Sequence, residues 1–203
     1  IVSGDGKVEV AQSANATLEG IIGTADDGNT PADERIAAVN LLSNSTLNVD
    51  TGSTVNSTET NLASGSNLKL NSSTTVNSQI QSADSKPAGQ GTGTVTILGN
   101  DVNLNGDIGS STRYVSKLDL DSASTLTLDG TNDLFVDSIE LEDDSTLSLA
   151  GSTVKATNGI NAETAGQGTL TLASDRILTN SDFQIGNNAA IRVLTINPGV
   201  TVS

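Results

Sequence analysis

The chain has 203 residues, a net charge of −15 and a pI near 4.1. Nucleic acid and anionic lipid carry the same sign of charge, so neither is expected as a partner. With neither Cys nor His, the chain cannot form disulfides, thiolate or imidazole zinc sites, or the triads that need those side chains.

In chain order, residues 1–38 read as an N-terminal cap or irregular segment. Within it, Thr30-Pro31-Ala32-Asp33-Glu34 has an N-cap Thr, a Pro at the first helical position and acids in the first turn. This predicts at most two helical turns at 31–37, or a plain loop, running into a strand. A three-part phrase then begins: an apolar-x-apolar pair, a polar gap, and a second such pair. It reads Val39-x-Leu41…Leu47-x-Val49, Leu118-x-Leu120…Leu126-x-Leu128 and Ile139-x-Leu141…Leu147-x-Leu149. Short runs of period two broken by Gly, Asn, Asp and Ser indicate strands with one buried face. Lead positions Leu47, Leu68, Val95, Leu126, Leu147 and Leu170 set a recurring interval, and longer intervals read as corner loops at 81–93 and 105–114. A coarser repeat joins AGQGTGTVTIL (88–98) to AGQGTLTLA (165–173), with Gly91 over Gly168.

These intervals predict an all-β fold: a right-handed parallel β-helix, a three-sided solenoid. Its coils hold about 21–24 residues, with corner-loop insertions. Residues 1–203 read as one such domain of about nine coils, a rod of roughly 40 Å. Leu, Ile, Val and Phe make up about a quarter of the chain, enough for a core. That core must be aliphatic, since Tyr114, Phe135 and Phe183 are the only aromatics. The opening IVSGDGKVEV has neither Met nor a basic start, and no apolar run nears the ~20 residues of a membrane helix. The chain therefore reads as a mature product or an excised piece of a longer one, with no segment inserting directly in a membrane.

The stretch GTVTILGNDVNLNGDIGSSTRYVSKLDLDSASTLTLDG (93–130) resembles the passenger domains of bacterial autotransporters, the rickettsial outer-membrane type above all. Those carry loose G-T-[VL]-T-[LIVF]-x-G repeats, then an [IL]-G-[ST] turn, then L-x-[LIVF] pairs. Gly93-Thr94-Val95-Thr96-Ile97-Leu98-Gly99, Ile108-Gly109-Ser110 and Leu118-Asp119-Leu120 fit that pattern. Gly168-Thr169-Leu170-Thr171-Leu172 lacks the closing Gly. The likeness covers 88–203, and 39–87 weakly. It implies a β-helical passenger exported through its own membrane barrel, at the bacterial surface or released from it. It also implies adhesion or contact with a host-cell protein or glycan, and no family catalytic motif is present.

The chemistry-bearing residues are few. A 21-residue shift places Asp119 over Glu140 and Asp121 over Glu142, with Asp143 and Asp144 adjacent. Like-charged carboxylates stacked about 5 Å apart need solvent, Lys117, or a hard cation such as calcium. A solvated acidic face and a weak calcium site at Asp119, Asp121, Glu140, Glu142 and Asp143 are both expectations of this pattern. Arg113, Tyr114 and Lys117 form the densest basic-aromatic spot and are candidate ligand contacts. No cofactor other than calcium is indicated. The T-x-T pairs at Thr94/Thr96, Thr125/Thr127 and Thr169/Thr171 raise an ice-binding reading. In the row as aligned, Asn48, Lys69 and Ser148 interrupt them, so they read as ordinary outward strand threonines.

The leading expectation is a non-catalytic surface scaffold acting in adhesion, with self-association through the solenoid ends left open. One alternative is a polysaccharide-active β-helix, whether a lyase, a hydrolase or a phage tailspike. Another is a calcium-binding β-sandwich adhesin module.

Overall fold

The computed structural model describes residues 6–23, 35–128, 130–150, 153–174 and 183–201. Every regular element among them is a strand, and all strand pairings are parallel. The strands wind into a solenoid of about seven turns, a parallel β-helix.

The first turn places β1 (Lys7–Val10), β2 (Asn15–Leu18) and β3 (Ile21–Ile22) on three successive faces. In the second, β4 (Ile36–Leu41) lies beside β1, β5 (Thr46–Val49) beside β2, and the start of β6 (Thr54–Leu62) beside β3. β6 then rounds a corner, and its second half pairs with β4. β7 (Asn67–Leu70) follows β5, and β8 (Thr75–Ser82) repeats the bend of β6. β9 (Thr92–Ile97) continues the second face and β10 (Asn103–Leu104) the third.

The remaining strands are β11 (Val115–Leu120), β12 (Thr125–Leu128), β13 (Leu134–Leu141), β14 (Thr146–Leu149), β15 (Val154–Ala162), β16 (Gln167–Leu172), β17 (Phe183–Ile185) and β18 (Ile191–Ile196). β11, β13, β15 and β17 extend the second face from β9. β12, β14, β16 and β18 form their own ladder on the third. The first face is carried past β8 by bridges from Ile80 to Ile108 and from Ile108 to Leu134.

Parallel pairing in register sets like side chain over like side chain. On the second face the inward column runs Leu47, Leu68, Val95, Leu118, Ile139, Ile160. All six are buried, and with Leu70, Ile97, Leu120 and Leu141 they form one aliphatic core along the axis. Where Thr60 enters the first column between Val39 and Ile80, its hydroxyl lies 2.8 Å from that of Ser78. Ser57 joins the same buried group, 3.0 Å from Ser78, so these three hydroxyls are paired with one another.

The corners use one turn repeatedly. Asn44, Ser73, Ala123 and Asp144 take φ near 60° there. The next Ser or Thr often donates back across the turn: Ser45 Oγ to the Leu42 carbonyl at 2.7 Å, Thr74 Oγ1 to Asn71 at 2.9 Å, Ser145 Oγ to Glu142 at 2.7 Å. These bonds offset the strain of left-handed backbone at residues other than Gly. Side-chain amides stack from turn to turn on the third face. Asn77 donates to Asn56 at 2.6 Å, and Asn105 donates to Asn77 at 2.7 Å.

The structure corrects the sequence reading in several places. There are about seven turns where the intervals suggested nine, because insertions such as 83–91 lengthen a turn without adding one. Residues 7–22 already form a regular turn of the solenoid. Ile36 and Ala37 belong to β4, while residues 31–34 of the suggested helix lie outside the described residues.

The largest correction concerns which face each phrase occupies. The column from Leu47 and Leu68 through Val95 continues to Leu118, not to Leu126. Leu126, Leu147 and Leu170 form a separate column on the third face. The phrase therefore occupies the first and second faces at Val39–Val49, and the second and third faces from Leu118 onward. An apolar-x-apolar pair fits any face equally well, so only hydrogen bonding between turns fixes which one it takes. The coarse repeat shifts with it. Gly93, with φ +72°, opens its strand against Leu62, as Gly168, with φ +66°, does against Leu141. Gly93, not Gly91, is thus the counterpart of Gly168.

Candidate functional site

The acidic patch forms as the sequence suggested. Asp119 pairs in register with Glu140, and the same ladder brings Asp121 beside Glu142. Lys117 Nζ lies 2.8 Å from Glu140 and 3.3 Å from Asp119. Its ammonium thus supplies, between those two carboxylates, the positive charge that a bridging cation would supply. Burial works against the Lys117 charge, but the bond to Glu140 and the nearby Asp119 outweigh it and hold its pKa above the ordinary value. Asp119 moves the other way in effect: burial outweighs the attraction of Lys117 and raises its pKa. Glu140 is the larger and Asp119 the smaller of the two contributions that stabilise the Lys117 charge.

Partial burial, followed by a hydrogen bond with the Asp121 carboxyl, raises the Glu142 pKa. The Ser122 hydroxyl also donates to Glu142, at 3.0 Å. Asp143 and Asp144 turn to Arg192, at 3.5 and 2.6 Å. The five candidate residues thus divide into three groups, and among the described residues no three carboxylates converge as a metal cage.

The basic-aromatic spot does not gather on the surface. Tyr114 is buried, its ring edge-on to Phe135 with centroids 5.6 Å apart. Arg113 forms a backbone bridge with Lys86, and Lys117 is held by the acids. Chain adjacency suggested a cluster, but Arg113 and Tyr114 lie in the segment before β11, where the Tyr114 ring is buried, while Lys117 lies within the strand beside the acids.

Two features escaped the sequence reading. Asp137 is buried, and its two carboxylate oxygens accept from the Gly89 and Gly91 N–H groups at 2.7 Å each. It fastens the 83–91 insertion to a turn more than forty residues away, a link no local pattern announces.

The second feature is the outer surface of the third face. Thr125, Thr146, Thr169 and Val193 form one rank there, and Thr127, Ser148, Thr171 and Thr195 a second. The 21-residue spacing of Thr125 and Thr146 was the available signal. It was masked by aligning Asn48 and Lys69 to the same row, when both lie on the second face with Thr96. Below this sheet the third-face ladder is interrupted between β10 and β12, leaving a groove of about 190 Å³ lined by Asp101, Val102, Asn103, Thr125 and Thr127. The corner entering β10 is one residue longer than its neighbours, since Val95 to Leu104 spans one position more than Leu118 to Leu126.

No protein-family profile matches the chain, and neither curated proteins nor solved structures provide a match.

Proposed function

We infer that this chain is a non-catalytic scaffold, a stretch of exported bacterial surface passenger that acts in adhesion or host-cell contact. The observation that carries this reading is the division of labour between inside and outside. The interior is filled by one continuous, mainly aliphatic core, its buried hydroxyls at Ser57, Thr60 and Ser78 bonded to one another, so ligand-facing chemistry is left to surface ladders repeated from turn to turn. The surface stays strongly acidic, with 24 acids against 9 bases, and two of its cations sit each between two carboxylates. Lys117 holds Asp119 and Glu140, and Arg192 holds Asp143 and Asp144. Glycoside cleavage needs two carboxyl groups facing each other across a substrate-sized gap. Asp119 and Glu140 instead stand side by side on one sheet with an ammonium between them. The resemblance of 93–130 to autotransporter passengers supports surface display and a protein or glycan partner.

Adhesion of beads coated with the purified chain to cultured mammalian cells tests the reading, with a parallel incubation on plant and bacterial polysaccharides. Saturable adhesion with unchanged polysaccharide length is expected. Shortened polysaccharide chains would replace the scaffold with the polysaccharide-active alternative. Melting in calcium against chelator tests the cation expectation, and an unchanged midpoint would remove calcium from the account.

A further inference from the structure

We propose that the outer face of the β12–β14–β16–β18 sheet binds the surface of crystalline ice. Its two ranks hold eight outward positions: six Thr, Ser148, which keeps the hydroxyl, and Val193, which keeps the branched shape. All eight are exposed or half-exposed. No register shift interrupts the ladder, so the ranks stay aligned across four strands.

Backbone geometry fixes the spacing. Adjacent strands stand about 4.8 Å apart, and successive outward residues along a strand about 6.6 Å apart. The outward side chains therefore form a near-rectangular net whose inter-strand period lies close to that of the oxygen rows along one direction of a prism face of hexagonal ice, while the along-strand period is about a tenth shorter than the other repeat, a mismatch that two ranks alone do not accumulate. Thr suits this net because its branched Cβ restricts χ1, so hydroxyl and methyl hold fixed positions. A single hydroxyl gains little by exchanging liquid water for another water. A rigid net gains because its ordering cost is met when the protein folds, and many contacts then form at once.

Charge sets this face apart. None of the eight positions is charged, although the molecule carries −15. The corresponding row on the second face runs Asn48, Lys69, Thr96, Asp119, Glu140. Asp143 and Asp144 sit at the corner before β14, where Arg192 pairs them. Charged side chains keep their own hydration shells and would disrupt a lattice contact.

The test uses the purified full chain on a cold stage. Single ice crystals grown in its presence should become faceted, and recrystallisation of a frozen film should slow relative to an inert protein of equal concentration. Thr146→Lys and Thr171→Lys, both at the centre of the net, should abolish both effects while leaving circular dichroism and the melting midpoint unchanged. Thr94→Lys, on the second face, should leave both effects intact. Round, unfaceted crystals with the unmodified chain would overturn the proposal, whatever the variants do. So would faceting that survives in Thr171→Lys. Pelleting with crystalline chitin or cellulose, without ice shaping, would also overturn it and assign the net to a carbohydrate lattice.

Discussion

A pair of cysteines can test the change of face after Val95, and the Cys-free chain makes the experiment clean. Thr96 and Asp119 are register partners on the outside of β9 and β11. Their Cα atoms lie about one strand spacing apart, roughly 4.8 Å, within the range of about 4.4–6.8 Å that a disulfide accepts. T96C/D119C should therefore oxidise in air without displacing the backbone. The bridge closes a loop of about two dozen residues, and chain entropy then gives about 3.4 kcal/mol of stabilisation. For a chain of this length that corresponds to a rise of about 10 °C in melting midpoint, oxidised against reduced. Comparing two redox states of one variant cancels the loss of the Asp119–Lys117 contact. The control, T96C/T127C, places cysteines where an uninterrupted Leu47–Val95–Leu126 column would make them neighbours. Non-reducing gels and melts with and without reductant read both variants. Efficient cross-linking of T96C/T127C, with none in T96C/D119C, would refute the face change and the Thr net that depends on it.

Other expectations follow from single contacts. Gly52 has φ +74° with open space around its would-be Cβ, so Gly52→Ala should lose only about 1–2 kcal/mol of left-handed strain in urea melts. Gly93→Ala adds to similar strain a Cβ only 2.3 Å from that of Leu62, and it should lose clearly more; equal losses would show that the corner yields freely. Asp137→Ala strips the acceptor from two backbone N–H groups and should lose roughly 2–3 kcal/mol. Amide exchange at Gly89 and Gly91 should accelerate first, and unchanged protection there would mean the insertion holds itself.

The pH response has a defined sign. Asp119 and Glu142 both have raised pKa values, so the folded state binds more protons than the unfolded state through the carboxylate range. Their contribution to stability therefore falls as pH rises through that range. D119N/E142Q should flatten this part of the melting profile, and an unchanged slope would count against it. Lys117 contributes fully below its ordinary value of 10.5, and this is lost as pH rises through its higher folded value.

The sequence by itself determined the kind of fold. Period-two apolar pairs, polar corners and a 21-residue interval favour a stack of short parallel strands, and the parallel pairing of the described strands removes the β-sandwich alternative. They also placed Asp119 over Glu140, because that pairing lies within an unbroken run of equal intervals. The sequence could not determine which face each phrase occupies. Leu, Val and Ile at alternate positions satisfy every face of a three-sided solenoid, and an insertion such as 83–91 erases the count that would tell them apart. That choice is made by backbone hydrogen bonds between turns, where Val95 pairs with Leu118 while Leu126 starts a column of its own. The same choice moved Asn48 and Lys69 off the threonine row and left an uncharged net on one side. Tertiary packing also buries Tyr114, which its adjacency to Arg113 and Lys117 had marked as a ligand contact, because its ring lies edge-on against Phe135 of the next turn.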